Sequence, residues 1–258
     1  MTPERNISES APAPQPGFLS RLTGVWFSPT ETFTQLGKRP DFVIPLICLL
    51  VIGGIVGYVM IDRIGVTNFF SQGMRQAVDS GRMTQEQMDT QLAAMTSGRT
   101  PMIIKGGFIL SGAVSNVIFA LVSAAVLRLV SMVMGYENGF KKLLSVCLYT
   151  FLAVGIISSV LFVVILFLKS PEDIDIQNLV GSNLAALLTS MLGKDGLPKF
   201  IMNLARWIDV FALWMVGLLS IGLEAVSQKL KTQTALWIVG GIYAVVALCG
   251  SLIATIRG

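Results

Sequence analysis

Leu143-Leu-Ser-Val-Cys-Leu-Tyr-Thr-Phe-Leu-Ala-Val-Gly-Ile-Ile-Ser-Ser-Val-Leu-Phe-Val-Val-Ile-Leu-Phe-Leu168 decides the fold. It carries no charge from end to end and is longer than the roughly 20 residues a helix needs to cross a hydrocarbon core. Three further runs meet the same criterion: Phe42–Ile61, Gly106–Leu127 and Thr232–Ile256. A fifth, within Phe200–Leu223, is weaker and is charged where it begins. The chain therefore reads as an all-α polytopic membrane protein with a five-helix transmembrane bundle. The predicted spans are about 42–61, 104–128, 143–168, 204–224 and 233–256.

Composition agrees. Apolar residues make up 53% and charged residues 13% of 258 positions, against roughly 25% charged in soluble domains. Five spans and their loops leave no length for a separate soluble domain of usual size. Residues 1–17, rich in Pro, Ser and Ala, are predicted to be a disordered tail, and 18–258 the membrane domain. With no leader pattern ahead of it, the first span is expected to act as a retained anchor.

The chain has no histidine, which removes Ser–His and Cys–His catalytic pairs and histidine metal sites. Cys48, Cys147 and Cys249 all fall inside predicted spans and read as packing residues. No cofactor or metal is expected. The net charge of +4 is scattered, so nucleic acid is not expected as a partner.

Between the spans, Phe18–Leu36 reads as an N-terminal interfacial segment, with Trp26 in the membrane interface and Arg21 reaching headgroups. Asp41 is the expected N-cap of the first span. Asp62–Pro101 is predicted to form a helical hairpin outside the membrane, with a capping box at Thr84-Gln85-Glu86-Gln87. Lys169–Arg206 is the second extracytoplasmic connection. There Pro171-Glu172-Asp173 opens a helix whose apolar face holds Leu179, Leu184, Leu187, Leu188 and Met191, and Gly193–Gly196 breaks it. Arg128, Lys141, Lys142, Lys229 and Lys231 crowd into the two short loops. That density puts the short loops and the N-terminus inside, and an odd span count puts the C-terminus outside.

Two sets of residues are candidate sites. Gly135, Tyr136, Phe140, Lys141 and Lys142 form a short cytoplasmic turn. They suit either docking of a protein or anionic lipid, or a helical hairpin held by interface anchors. Arg206, Asp209, Asn116 and Trp214 are polar or amphipathic groups at membrane depth. Arg206 and Asp209, three apart, fall on one helix face, either as a fixed ion pair or as part of a pathway. Asn116 is read as an interhelical hydrogen bond, with a solute-path lining as the alternative. Trp214 is expected to pack in the bundle. Small residues recur at Gly53/Gly57, Gly107/Ser111/Ser115 and Gly112/Asn116/Ala120/Ala124. They are expected to serve packing within one bundle, a homo-oligomer face being the alternative.

Four patches carry a family resemblance. The first is Phe27-Ser28-Pro29 with Thr32-Phe33, Arg39-Pro40 and Pro45-Leu46. The second is Gly135-Tyr136 with Phe140, Leu143-Leu144-Ser145-Val146 and Tyr149. The third is Gly181-Ser182-Asn183-Leu184. The fourth is Asp209-x-Phe211-x-x-Trp214 with Leu218 and Ile221-Gly222-Leu223. Their order across about Phe18 to the end resembles the Yip family, five-span proteins first known as Rab-GTPase-interacting membrane proteins. A proline often found after the tyrosine of the second patch is replaced by Leu152 and Ala153. The acidic Asp-Leu-Tyr-Gly-Pro signature of eukaryotic members is absent. The resemblance therefore implies a member of the bacterial branch in the cytoplasmic membrane. It implies a non-enzymatic protein that organises or recruits partner proteins or lipids; the alternative is a small-solute or ion transporter or channel.

Overall fold

The computed structural model describes residues 17–170, 180–193, 196–227 and 230–257. They form helices α1 (Phe18–Phe27), α2 (Pro29–Lys38), α3 (Val43–Ile64), α4 (Val66–Asp79), α5 (Gln85–Thr96), α6 (Thr100–Val133), α7 (Phe140–Leu168), α8 (Leu184–Leu192), α9 (Lys199–Trp207), α10 (Val210–Val226) and α11 (Thr232–Arg257). Among the described residues the one extended pairing is a single bridge, Asn183 with Asp209. The tail expected over 1–17 lies, but for Gly17, outside the described residues. So do the helix start at Pro171-Glu172-Asp173 and Leu179.

Four helices are long and apolar enough to cross a membrane: α3, α6, α7 and α11. The fifth expected span is not among them, and its predicted start is corrected. Residues 204–207 belong to α9, and the chain leaves helical geometry at Ile208 and Asp209 before α10 begins. Its 17 residues rise about 25 Å, somewhat less than a ~30 Å hydrocarbon core.

The core forms around the first half of α7. Leu143 to Tyr149, Leu152, Ala153 and Val154 are buried there against α1, α2, α3, α6 and α10. Gly222 of α10 is a junction: a Cβ on it would meet Val146 of α7 and lie 3.5 Å from Phe33 of α2. Gly37 of α2 lies against Val226 and the Ala225 carbonyl. The N-terminal helices thus pack at the end of the bundle where α10 finishes.

The α3–α6 contact is a close backbone crossing. An added Cβ would stand 2.1 Å from the Gly112 carbonyl oxygen at Gly53, and 2.4 Å from the Phe108 carbonyl oxygen at Gly57. Glycine alone permits that approach. Gly53, Gly57 and Gly112 therefore serve contacts inside the bundle.

The α4–α5 pair forms the predicted hairpin. Its capping box is present: Gln87 N–H donates to the Thr84 hydroxyl, and Thr84 N–H to the Gln87 amide oxygen. Phe69 and Phe70 of α4 meet Phe108 of α6 edge to face.

Candidate functional site

Three polar arrangements organise the two ends of the bundle, and each has local causes. The first holds α1 to α7. Arg21 lies 3.4 Å from Asp41, whose other donor is the Tyr149 hydroxyl at 2.9 Å. The Trp26 indole N–H donates to the Ala153 carbonyl at 3.1 Å. Two expectations change here. Asp41 does not cap α3; Phe42 is the N-cap residue, with no side-chain bond. Trp26 and Arg21 turn toward the bundle rather than the headgroups. Leu22 and Val25 on the same face are buried in the core, so the packing of α1 on α7 carries both polar side chains inward.

The second arrangement ties the two short loops together. Gly135, at φ +76°, ends α6. Tyr136 N–H reaches back to the Ser131 carbonyl at 2.8 Å and Gly135 N–H to the Met132 carbonyl at 3.1 Å. This is a Schellman closure, which needs a residue that tolerates positive φ. Asn138, buried, accepts from Arg128 at 3.3 Å and donates to Ser227 at 2.9 Å. Tyr136 is half-buried against the core, and Lys142 is half-buried. Phe140 and Lys141 remain exposed, as does Gly135, together with Met132, Val133 and Met134. Of the five turn residues singled out from sequence, Tyr136 and Lys142 thus face partly inward and three stay on the surface. The exposed methionines and valine were missed; their signal was an apolar run that continues past the predicted end of the span at residue 128.

The third arrangement is a latch at the opposite end. Asp209 Oδ1 accepts from Phe211 N–H at 2.9 Å and Ala212 N–H at 3.1 Å, capping α10. The Ser182 hydroxyl donates to Oδ2. Leu184 N–H pairs with the Ile208 carbonyl at 2.8 Å and Val210 N–H with the Ser182 carbonyl at 3.2 Å. Asn183 caps α8 in turn. The Tyr243 hydroxyl of α11 donates to the Trp207 carbonyl. Trp207 packs so closely on Gly250 that a Cβ there would lie 2.6 Å from the ring. Asn203 donates to Thr255 at 3.1 Å.

The Arg206–Asp209 pair is corrected accordingly. The two residues do not share a helix: Arg206 is in the last turn of α9, while Asp209 is extended at φ −120°, ψ 140°. Arg206 is exposed and donates to Asn203 at 3.4 Å. Residue spacing misled because a capping residue resets helical phase. Trp214 packs half-buried against the core. Asn116 is exposed on α6 and makes no hydrogen bond with any described residue, so the interhelical bond expected of it is not formed among the described residues.

Among the described residues no group of His, Cys, Asp or Glu is arranged to hold a metal. The family-like patches converge instead on packing. Phe33, Val146 and Gly222 meet at one junction, and Ser182 and Asn183 meet Asp209 at the other. No curated protein and no solved structure matches the chain. The Yip1 domain model matches residues 23–254, spanning both junctions, and the chain therefore belongs to the Yip1 domain family of membrane proteins.

Proposed function

We propose that this Yip1-family protein is a non-enzymatic organiser that recruits a partner protein or anionic lipid through its short-loop end. The observation that supports this most is the exposed tip formed by Met132, Val133, Met134, Phe140 and Lys141. Apolar side chains beside a lysine suit the boundary between acyl chains and negatively charged headgroups, or a partner's amphipathic face. The Schellman turn and the Arg128–Asn138–Ser227 chain hold this tip rigid, so binding costs little ordering.

The density of basic residues in the short loops favours placing this end in the cytoplasm; the family resemblance adds the bacterial inner membrane, and the C-terminus lies outside if α10 counts as a fifth crossing. The latch then faces outward and ties Ser182 and Asn183 to the start of α10.

The test is an inventory of proteins and lipids retained by the chain extracted with its native bilayer. Parent, Phe140→Ser/Lys141→Glu and Asp209→Asn/Arg206→Gln variants are compared with an unrelated multi-span protein. Specific enrichment in the parent, lost in the tip variant and kept in the latch variant, is the expected outcome. A parent inventory equal to that of the unrelated protein contradicts the proposal.

A further inference from the structure

The two connections on the side of the bundle away from the short loops are dressed for different surroundings. The α4–α5 hairpin carries Arg75, Asp79, Arg82, Glu86 and Asp89, and among its described residues no large apolar side chain is exposed. Helix α8 carries no charge from Leu184 to Leu192, yet Leu187 is 56% and Met191 72% exposed, as is Ile208 at the end of α9 in part. Its Ser190 hydroxyl is turned back onto the Leu187 carbonyl at 2.7 Å. In water this pair would leave its apolar face uncovered.

Depth along α11 says what covers it. The uncharged run Thr232–Ile256 is long enough to cross a membrane, and α9 runs down its far end. Asn203 meets Thr255, Trp207 packs on Gly250, and the Tyr243 hydroxyl reaches the Trp207 carbonyl. At ~1.5 Å per residue, Gly250 lies about 9 Å and Tyr243 about 20 Å below Ile256. The end of α9 and the break at Ile208 and Asp209 are therefore about 10 Å or more beneath the end of the apolar run. Helix α10 agrees, because its uncharged stretch Val210–Leu223 rises only about 20 Å and leaves its start short of the far surface of a ~30 Å core. Helix α8 begins at the same depth, since Asn183 bridges Asp209 and Leu184 N–H pairs with the Ile208 carbonyl.

The break is also built as hydrocarbon requires, with backbone groups met by protein. Val210 N–H takes the Ser182 carbonyl, Phe211 and Ala212 N–H take Asp209 Oδ1, and Tyr243 covers the Trp207 carbonyl. A turn in water can leave such groups to solvent.

We propose that α8 and α9 are inserted as a re-entrant pair in the leaflet away from the short loops, with Leu187, Met191 and Ile208 against lipid acyl chains. They share that depth with Leu252, Ile253 and Ile256, which α11 exposes to the same leaflet. Rising about 13 Å, α8 returns to the headgroup level at Gly193. The long stem of exposed Arg206 lets its guanidinium snorkel to the headgroups.

The experiment introduces single thiols, Leu187→Cys and Ile208→Cys, in phospholipid nanodiscs, where a water-soluble maleimide reaches both faces. Gln91→Cys on exposed α5 is the standard for water and Leu213→Cys on α10 the standard for lipid. The parent, whose Cys48, Cys147 and Cys249 lie in spans, gives the background. The thiols at 187 and 208 are expected to react about tenfold or more slower than that at 91, because the reactive thiolate forms in water. A fluorophore attached to the same thiols in detergent, then returned to discs of lipid with brominated chains, is expected to be quenched at 187, 208 and 213 and not at 91. Reaction at 187 and 208 as fast as at 91 overturns the proposal, because the pair then stands in water. Slow reaction without quenching overturns it as well, because protein rather than lipid then covers the face.

Discussion

Replacing Gly53 by alanine adds one carbon and two hydrogens, yet its effect is expected to be large. The new Cβ would stand 2.1 Å from the Gly112 carbonyl oxygen and 2.8 Å from its carbonyl carbon, whereas ordinary contact begins near 3.4 Å. The obstructing atoms are backbone, so no rotamer change relieves the clash. The α3 and α6 axes must part by roughly 1 Å, which forfeits a quarter to a half of each dispersion contact along the crossing. Overpacking of this kind costs about 1–3 kcal/mol, and the upper half is expected because the backbone cannot yield. For a chain of this size about 2 kcal/mol lowers Tm by roughly 4–8 °C. The comparison is Gly155→Ala in α7, where nothing lies within 4 Å. There the helix gains about 0.5–1 kcal/mol from the lost glycine. Thermal unfolding of both variants in the same nanodiscs gives opposite signs if the close crossing is real. Equal stability of Gly53→Ala and parent would refute the reasoning.

Other perturbations separate the polar arrangements. Tyr149→Phe removes a donor from the Asp41 carboxylate and is expected to cost about 1.5–3 kcal/mol in nanodisc unfolding. Trp26→Phe removes the bond to the Ala153 carbonyl and part of the ring packed on the core, an expected loss of at least about 1 kcal/mol, visible as easier proteolysis of α1. Asp209→Ala removes the cap of α10 and the Ser182 contact. It is expected to cost about 1–2 kcal/mol and to speed proteolytic cutting near Ser182, while Asp209→Asn keeps an oxygen for the cap and loses less. Arg206→Gln is expected to change stability by no more than about 0.5 kcal/mol, because Arg206 is exposed and its hydrogen bond goes to Asn203 one turn back; a loss as large as that of Asp209→Ala would restore the ion-pair reading.

The long spans were legible because hydrocarbon demands uninterrupted apolar helix, and sequence records that directly. The Thr84–Gln87 box and the Gly135 helix end were legible for a similar reason: each is a local pattern whose partners lie within a few residues. What escaped was long-range. Asp41 looks like a cap from its place before α3, but Arg21 and Tyr149 approach it from elsewhere in the chain. Asp209 looks like a helix-surface charge until Ser182 and the break at Ile208 are seen beside it. Gly53 and Gly57 announced close packing, but only the fold names Gly112 and Phe108 as their partners. The patches that carry the family likeness largely build the two junctions. They identify the fold more sharply than the activity, and the exposed tip at Phe140 and Lys141 is where recruitment is sought.

The most direct test of that reading is site-specific photo-crosslinking in living cells, with the reactive group placed at Phe140 and, as the comparison, at exposed Gln91 of α5. A discrete protein or an anionic lipid captured from position 140 and not from position 91 is the expected result. The same diffuse background from both positions would contradict a recruiting surface at the short-loop end.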